Sequence, residues 1–137
     1  MSFLVDTNVL SEARKPRQAD TGVTNWLLST APERLYLSVL VLGEVRRGTD
    51  ALARRDARAA AVFEDWLGRV QQDYAERILP VTEQIAQQWG RMDVIRPMPA
   101  IDGLMAATAV VHDLTFVTRN GRDVEGSGAR TLNPFSG

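Results

Sequence analysis

FLVDTNVL, residues 3–10, is the stretch of sequence that decides the fold. Its apolar start leads into a carboxylate, and a helix-like pattern follows. The stretch therefore predicts a buried strand that ends at Asp6 and a short helix from Thr7 to about Ala13. In open parallel sheets, ligands bind at the carboxyl ends of the strands, which makes Asp6 a candidate functional group. The alternative is that Asp6 or Thr7 only caps the helix, and this stretch by itself leaves both open.

Strand-like and helix-like segments alternate along the rest of the chain. Such alternation indicates an α/β fold in which helices flank a central parallel sheet. At this length, residues 1–137 are expected to form a single domain. The predicted strands are Leu35–Leu37, Ile78–Val81, Leu114–Thr118 and Arg130–Leu132, and helices are predicted from Asp20, from Val39 with Ser38 as its N-cap, from Thr82-Glu83 and from Ala100.

Local patterns add three expectations about the first half of the chain. Residues 46–77 predict a long amphipathic helix, with a break at Gly48-Thr49 before it. Gly43 has no side chain, which would let another backbone segment approach closely. Arg14-Lys15-Pro16-Arg17 predicts an exposed basic turn after the first helix.

The composition excludes several classes of protein. There is no cysteine, so disulfide frameworks, thiolate metal sites and cysteine nucleophiles are all excluded. A hydrophobic fraction of 45% and a charged fraction of 24% are those of an ordinary globular protein. No apolar run approaches membrane-spanning length and the first residues lack a leader pattern, so the expectation is a cytoplasmic protein that does not bind a membrane.

Four carboxylates are predicted to meet at the carboxyl edge of the sheet. Asp6 and Asp123 follow strands, and Asp102 lies in the first turn of a helix, where it is either a functional acid or a common structural one. Glu44 lies in an apolar helical stretch, so it needs a cation or a metal ion to remain charged. His112, the only histidine, is predicted to end a helix and not to act as a base. Oxygen ligands alone suit hard divalent cations, which activate water and bind phosphate oxygens.

The positive charge of the chain is almost all arginine, with fifteen arginines and one lysine. The net charge of −1 does not by itself indicate nucleic-acid binding. Arginine binds phosphate well, yet a GC-rich genome produces the same bias. Five arginines between positions 46 and 58 face only Asp50 and Asp56. They form either a solvated helix face or a positive rim that holds a phosphate backbone.

Four segments taken in order resemble the PIN-domain ribonucleases, in particular the VapC toxins of bacterial toxin–antitoxin pairs. The resemblance implies a homodimer with a central parallel sheet and an endoribonuclease that depends on Mg²⁺ or Mn²⁺. It further implies cleavage of structured RNA, such as tRNA or rRNA, to 5′-phosphate and 3′-hydroxyl ends. A cognate VapB-like antitoxin would block the acidic site, with an arginine as the blocking group. The matching segments are LVDTN (4–8), SVLVLGEVRRG (38–48), IDGLMAATA (101–109) and TFVTRNGRD (115–123).

The resemblance also assigns roles to individual residues. Asp6, Glu44 and Asp102 would hold the first metal ion, and Asp123 would contribute through water or to a second ion. One departure from the family pattern is Val124, where an aromatic residue is usual after the fourth acid, and this affects the packing behind the site. The supporting residues would be Thr7, Asn8, Ser38, Thr118 and Asn120, and the weaker candidates for RNA contact are Arg46, Arg47, Arg54, Arg55 and Arg119.

Two other functions fit parts of the pattern. Haloacid-dehalogenase-like phosphatases also place an Asp after the first strand, but they need a second Asp where this chain has Asn8. They also need a lysine near the phosphate, and Lys15 lies in an early loop. The second alternative is a catalytically silent PIN fold that only binds RNA or protein, and the presence of all four acids argues against it.

Overall fold

Five short strands form one parallel sheet in this computed structural model, which describes residues 1–136. They are β1 (Phe3–Val5), β2 (Leu35–Ser38), β3 (Ile78–Leu79), β4 (Thr115–Val117) and β5 (Thr131–Leu132). Their order across the sheet is β3-β2-β1-β4-β5. Within the described residues the chain also forms six α-helices: α1 (Thr7–Ala13), α2 (Thr21–Leu28), α3 (Val39–Ala53), α4 (Ala57–Asp73), α5 (Glu83–Ile95) and α6 (Ala100–Val111). The predicted α/β fold with a central parallel sheet is confirmed.

The first strand occupies the centre of the sheet. On one side Leu4 of β1 is in register with Tyr36 of β2, and on the other side it is in register with Phe116 of β4. Leu4 and Phe116 are almost completely buried because helices cover both faces of the sheet. Since all strands run parallel, the residues that follow them lie at one edge. That edge brings together side chains from opposite ends of the sequence.

Polar side chains start most of the helices. Asp20 accepts a hydrogen bond from Val23 N, Ser38 from Leu40 N, Asp56 from Ala59 N and Thr82 from Ile85 N. An N-cap of this kind contributes about 1 kcal/mol by satisfying a backbone donor that the helix leaves free. The helix starts predicted at Asp20, Ser38 and Thr82 are confirmed.

Helix α6 is the core helix of the fold. It packs against the sheet, and its residues Met105 to Ala109 are all buried, as its uniformly apolar sequence predicts. Of the helices in residues 1–136, no single one is long and apolar enough to cross a membrane. Only α5 and α6 taken together, bent by 118°, reach that length and composition.

Two local expectations are wrong, and a third fails at one residue. Gly48 and Thr49 do not break a helix: α3 continues to Ala53, and the break falls at residues 54–56, where Asp56 caps α4. Thr49 is instead buried, and its hydroxyl donates to the Val45 carbonyl four residues earlier. Gly43 is exposed, and a side chain there would meet nothing within 4 Å, so no backbone approaches it. The basic turn after α1 is exposed at residues 15–17, as predicted, but Arg14 is only partly exposed, and its guanidinium lies 4.2 Å from the centre of the Phe63 ring.

Candidate active site

Asp6 lies at the carboxyl end of the central strand and is only 4% exposed. Its Oδ1 accepts a hydrogen bond from Thr7 N (2.8 Å), and its Oδ2 accepts from the Thr118 hydroxyl (2.6 Å) and from Asn8 Nδ2 (3.2 Å). Burial raises the pKa of Asp6, and these three hydrogen bonds oppose that rise, while the charge of Glu44 adds to it. Asp6 is thus the cap of α1, as one of the two interpretations has it, and also a buried, oriented carboxylate, while its functional role stays a prediction.

The loop after β4 is joined to the residues after β1. The Thr118 hydroxyl donates to Asp6 and accepts a hydrogen bond from Asn120 N (3.0 Å). Asn8 donates to Asp6 with its amide nitrogen, and its amide oxygen accepts from Arg119 N (3.3 Å). Asn120 contributes its backbone here, since its carbonyl also accepts from Asp123 N (3.0 Å). These contacts fix the orientation of the Asp6 carboxylate from two directions.

Glu44 reaches the site from α3. It is partly buried, and its Oε1 accepts a 2.6 Å hydrogen bond from the Thr7 hydroxyl. Thr7 therefore connects two of the acids, because its backbone N–H donates to Asp6. Ser38 is fully buried and caps α3, so its part in the site is to start the helix that carries Glu44.

Asp102 lies in the first turn of α6 and is half-buried. Burial, followed by the negative charges of Asp6, Asp123 and Glu44, raises the pKa of Asp102 to about 6. All three of the other acids thus act on Asp102, which means that the four carboxylates share one electrostatic environment. The helix N-terminus favours a negative charge at this position, but the combined effect of burial and repulsion is larger.

Asp123 is the most loosely held of the four acids. It lies in a single 3₁₀ turn, Gly121–Val124, and its side chain is exposed. The next residue, Val124, is 1% exposed and packs in the core behind the turn. The departure from the family pattern therefore falls on a core position, and the acid itself remains in place.

The donor set fits a hard divalent cation. All four groups are carboxylates, which Mg²⁺ and Mn²⁺ prefer as ligands. In the described part of the chain, none of the four forms an ion pair, and the ion pairs of other acids are Glu12–Lys15, Asp50–Arg46, Glu64–Arg46 and Asp113–Arg130. Within residues 1–136, no three acidic side chains already stand in a closed metal-binding arrangement. Among the described residues, no arginine or lysine therefore neutralises these four carboxylates by an ion pair. A bound metal ion would have to draw the carboxylates closer together.

A pocket of about 250 Å³ adjoins Glu44 between α1, α3 and α4. Sequence reasoning did not find it, because the apolar pattern of α4 predicts a buried face and not a gap in that face. Its walls are mainly apolar, with one arginine at the rim. The residues that line it include Thr7, Glu44, Gly48, Arg55, Phe63 and Trp66.

The arginines proposed to contact RNA differ in their surroundings. Arg46 is bound by both oxygens of Glu64 (2.7 and 2.6 Å) and by Asp50 (3.1 Å). The expectation that only Asp50 and Asp56 face this group is therefore wrong, because α4 supplies Glu64 from across the helix pair. The other candidates on this surface are exposed and form no ion pair among the residues described: Arg47, Arg54 and Arg55. Arg119, from the loop after β4, lies 4.5 Å from the centre of the Phe135 ring.

Comparison with known proteins relates the whole chain to one family. Residues 3–125 match the PIN domain family. The chain is 32% identical to Toxin FitB of Neisseria gonorrhoeae, over 97% of this chain and 98% of that protein. It is 30% identical to VapC ribonuclease Y4jK of Sinorhizobium fredii, over 97% of each protein.

Solved structures give the same relation. The crystal structure of FitAcB from Neisseria gonorrhoeae matches with a TM-score of 0.86 at 32% identity, over 96% of this chain and 97% of that one. The structure of VapBC-1 from nontypeable Haemophilus influenzae matches with a TM-score of 0.74 over 98% of each chain. At 18% identity, this second likeness concerns the fold alone.

Proposed function

The chain belongs to the PIN domain family, and we propose that it is a VapC-like toxin, an endoribonuclease that cleaves RNA with a divalent metal ion at Asp6, Glu44, Asp102 and Asp123. The observation that carries this proposal is the buried carboxylate of Asp6 at the carboxyl edge of the central strand, in one electrostatic environment with three further acids. None of these four acids forms an ion pair with an arginine or a lysine among residues 1–136. The relatives named as a toxin and as a VapC ribonuclease support it.

The mechanism assigns separate tasks to the residues of this site. Asp6, Glu44 and Asp102 would hold Mg²⁺ or Mn²⁺, and Asp123 would assist through water or at a second ion. When bound, such an ion lowers the pKa of a coordinated water and neutralises charge on the phosphate. Thr118 and Asn8 orient the carboxylate of Asp6 by hydrogen bonds, and Thr7 orients that of Glu44. The products would carry 5′-phosphate and 3′-hydroxyl ends.

The protonation of Asp102 should affect metal binding. Because its pKa is raised to about 6, the carboxyl group is partly protonated in slightly acidic solution when the site holds no cation. A metal ion must then displace that proton, so metal affinity should rise as the pH rises through this range. At neutral pH the carboxylate is mostly ionised and available as a ligand.

The substrate we propose is structured RNA, such as a tRNA or rRNA loop with unpaired bases. Sequence-specific readers of RNA favour such segments, because their base edges are accessible. Arg47, Arg54 and Arg55 lie exposed on or just after α3, the helix that carries Glu44, and Arg119 lies in the loop beside Asn120. We leave Arg46 out of the phosphate-binding set, because Glu64 and Asp50 already bind its guanidinium.

We further propose that this chain forms a complex with an antitoxin and a homodimer with itself. One relative is named Toxin FitB, and a solved structure of the same fold is named a toxin–antitoxin complex from Klebsiella pneumoniae. An arginine of the antitoxin would form charge-assisted hydrogen bonds with the carboxylates. Apolar side chains of the antitoxin would fill the pocket beside Glu44, and the walls of this pocket include Phe63 and Trp66.

A cleavage assay tests the proposed activity. The purified chain should cleave RNA with Mg²⁺ or Mn²⁺ and should be inactive with a chelator. Asp6→Asn should abolish cleavage, whereas Asp65→Asn, at an exposed acid of α4, should keep it. Circular dichroism of both variants shows whether the fold is intact. Undiminished cleavage by a folded Asp6→Asn protein would sink the assignment, and metal-independent RNA binding without cleavage would favour the silent binding module.

A further inference from the structure

Arg96, the residue that follows α5, holds the turn that carries Asp123. Its Nη1 donates to the carbonyl oxygen of Glu125 (2.7 Å) and lies 3.5 Å from that of Asp123. Its Nη2 donates to the carbonyl oxygen of Arg122 (3.1 Å). One guanidinium thus spans three carbonyls of the same turn. We infer that Arg96 is a positioning residue that sets where the fourth carboxylate stands in the acid cluster; the inference rests on the proposed function.

Local backbone hydrogen bonds hold the turn from within: Asp123 N donates to the Asn120 carbonyl (3.0 Å), Glu125 N to the Arg122 carbonyl (3.3 Å) and Ser127 N to the Val124 carbonyl (3.1 Å). It is a single 3₁₀ turn, and 3₁₀ hydrogen bonds have poorer geometry than those of an α-helix. The residues after it include Gly126 and Gly128, both with positive φ (83° and 89°), a left-handed conformation that glycine adopts without steric cost. Val124 anchors one side of the turn in the core. Arg96 binds the carbonyls on the other side and thereby completes the restraint.

Arg96 also lies close in the sequence to the third acid, Asp102. Arg96 begins the short connection between α5 and α6, and Asp102 lies in the first turn of α6. Asp102 and Asp123 carry like charges and repel each other, which favours an outward movement of the exposed turn. A guanidinium bound to the turn opposes that movement. Lysine cannot replace it, because an ammonium is a point charge and lacks the rigid fork that reaches several carbonyls at once.

The experiment compares Arg96→Lys and Arg96→Gln with Arg91→Gln. Arg91 is an exposed arginine of α5 whose side chain reaches only Gln87, at 3.4 Å. Hydrogen exchange of the metal-free protein should rise in residues 121–127 in both Arg96 variants, without change in α1 and α3. Calorimetry should show Mn²⁺ affinity reduced about tenfold or more, the usual effect of losing a residue that orients a metal ligand. Arg91→Gln should match the native protein in both measurements.

A double-mutant cycle identifies the route of the effect. In an Asp123→Asn background, Arg96→Gln should cause no further loss of Mn²⁺ affinity, because both changes act on the same ligand. Fully additive losses would overturn the inference, as would native exchange and native affinity in Arg96→Lys. Raised exchange with unchanged Mn²⁺ affinity would also overturn it and leave Arg96 as a residue of the fold alone.

The inference and the proposed function can fail separately. If the native protein neither binds Mn²⁺ nor cleaves RNA, the proposed function is wrong. Raised exchange confined to residues 121–127 in both Arg96 variants would still support Arg96 as the residue that holds this turn. Unchanged exchange would overturn the inference even in a protein that cleaves RNA.

Discussion

Thr118 donates a 2.6 Å hydrogen bond to Asp6 although the two residues are 112 positions apart in the sequence. The bond joins the carboxyl ends of two neighbouring parallel strands, β1 and β4. It is a buried contact to a carboxylate, and charge-assisted hydrogen bonds of this kind are roughly twice as strong as neutral ones. The most deeply buried acid of the site therefore depends on a residue near the other end of the chain.

Thr118→Val should weaken metal binding, and Thr118→Ser should keep it. Valine removes the hydroxyl and leaves Oδ2 of Asp6 with only Asn8 as a donor. The pKa of Asp6 should then rise further, because the hydrogen bond from Thr118 is what lowers it most. A loss of about 10- to 100-fold in Mn²⁺ affinity is expected, together with about 1–3 kcal/mol in the free energy of unfolding. Calorimetry and urea unfolding measure the two effects, and native values in Thr118→Val would contradict the prediction.

Divalent metal should stabilise the native protein against heat. An ion that binds only the folded state, at about 100 times its dissociation constant, contributes about 2.7 kcal/mol. That gain should raise the melting temperature by several degrees. Thermal unfolding with chelator, with Mg²⁺ and with Mn²⁺ measures it. Asp102→Asn should respond less to either ion, and an unchanged melting temperature of the native protein in both would argue against a metal site.

Asp102 should make the metal-free protein less stable as the pH rises from about 4 to above 6. The pKa of Asp102 is raised from its ordinary value of 3.8 to about 6 in the folded state. Between these values the folded protein binds more protons than the unfolded one, so stability falls as the pH increases. Asp102→Asn should therefore melt higher than the native protein at pH 7 and equal to it near pH 4. A lower melting temperature of Asp102→Asn at pH 7 in chelator would mean that this acid is structural.

The exposed arginines just after α3 should set part of the salt dependence of RNA binding. Replacing Arg54 and Arg55 with Ala removes two charges that no acid among the described residues neutralises. For single-stranded RNA, each lost phosphate contact should reduce the slope of log affinity against log salt by about 0.7. Fluorescence anisotropy with a metal-free, uncleaved RNA measures this slope. Arg91→Ala is the matched control. If the double variant has the same slope as the native protein, Arg54 and Arg55 do not contact RNA and belong to a solvated surface.

Gly48→Leu should weaken antitoxin binding without harming the fold. Gly48 lines the pocket beside Glu44, and a side chain there would meet nothing within 4 Å. Leucine should stabilise α3 by roughly 0.5–1 kcal/mol because glycine is a poor helix former, while it fills the mouth of the pocket. Gly68→Leu, at an open position of α4, should give the same gain in stability and normal binding. Co-purification and calorimetry with the co-expressed antitoxin decide between them, and equal affinities would place the antitoxin elsewhere.

The sequence predicts those features that depend on local pattern. Alternating strands and helices, the end of β1 at Asp6 and the cap at Ser38 all follow from residues within a few positions of one another. Asp6 and Asp123 lie at one edge because the strands before them are parallel, and the charges of Asp6, Asp123 and Glu44 all act on Asp102. No single one of these signals identifies the site, and their order along the chain does.

The features that the sequence did not predict depend on contacts between distant elements. The ion pair of Arg46 with Glu64 crosses from α3 to α4, so no helical spacing indicates it. Gly48 predicts a helix break because glycine costs about 1 kcal/mol in a helix. Thr49 is buried, however, its hydroxyl donates to the Val45 carbonyl, and α3 is continuous there. The three bonds from Arg96 end on backbone carbonyls, which every residue possesses. Such acceptors leave no trace in the amino-acid sequence.

The central place of β1 also has a consequence for the timing of synthesis. β1 is synthesised well before its neighbour β4 and before Thr118 and Asp123, which all follow it in the sequence. When Asp6 and Glu44 have emerged from the ribosome, the nascent chain still lacks Thr118, which orients Asp6, and Asp123, the fourth proposed acid. We therefore expect growing chains to remain harmless to the RNA around them, including the ribosome that makes them, until the last strands emerge.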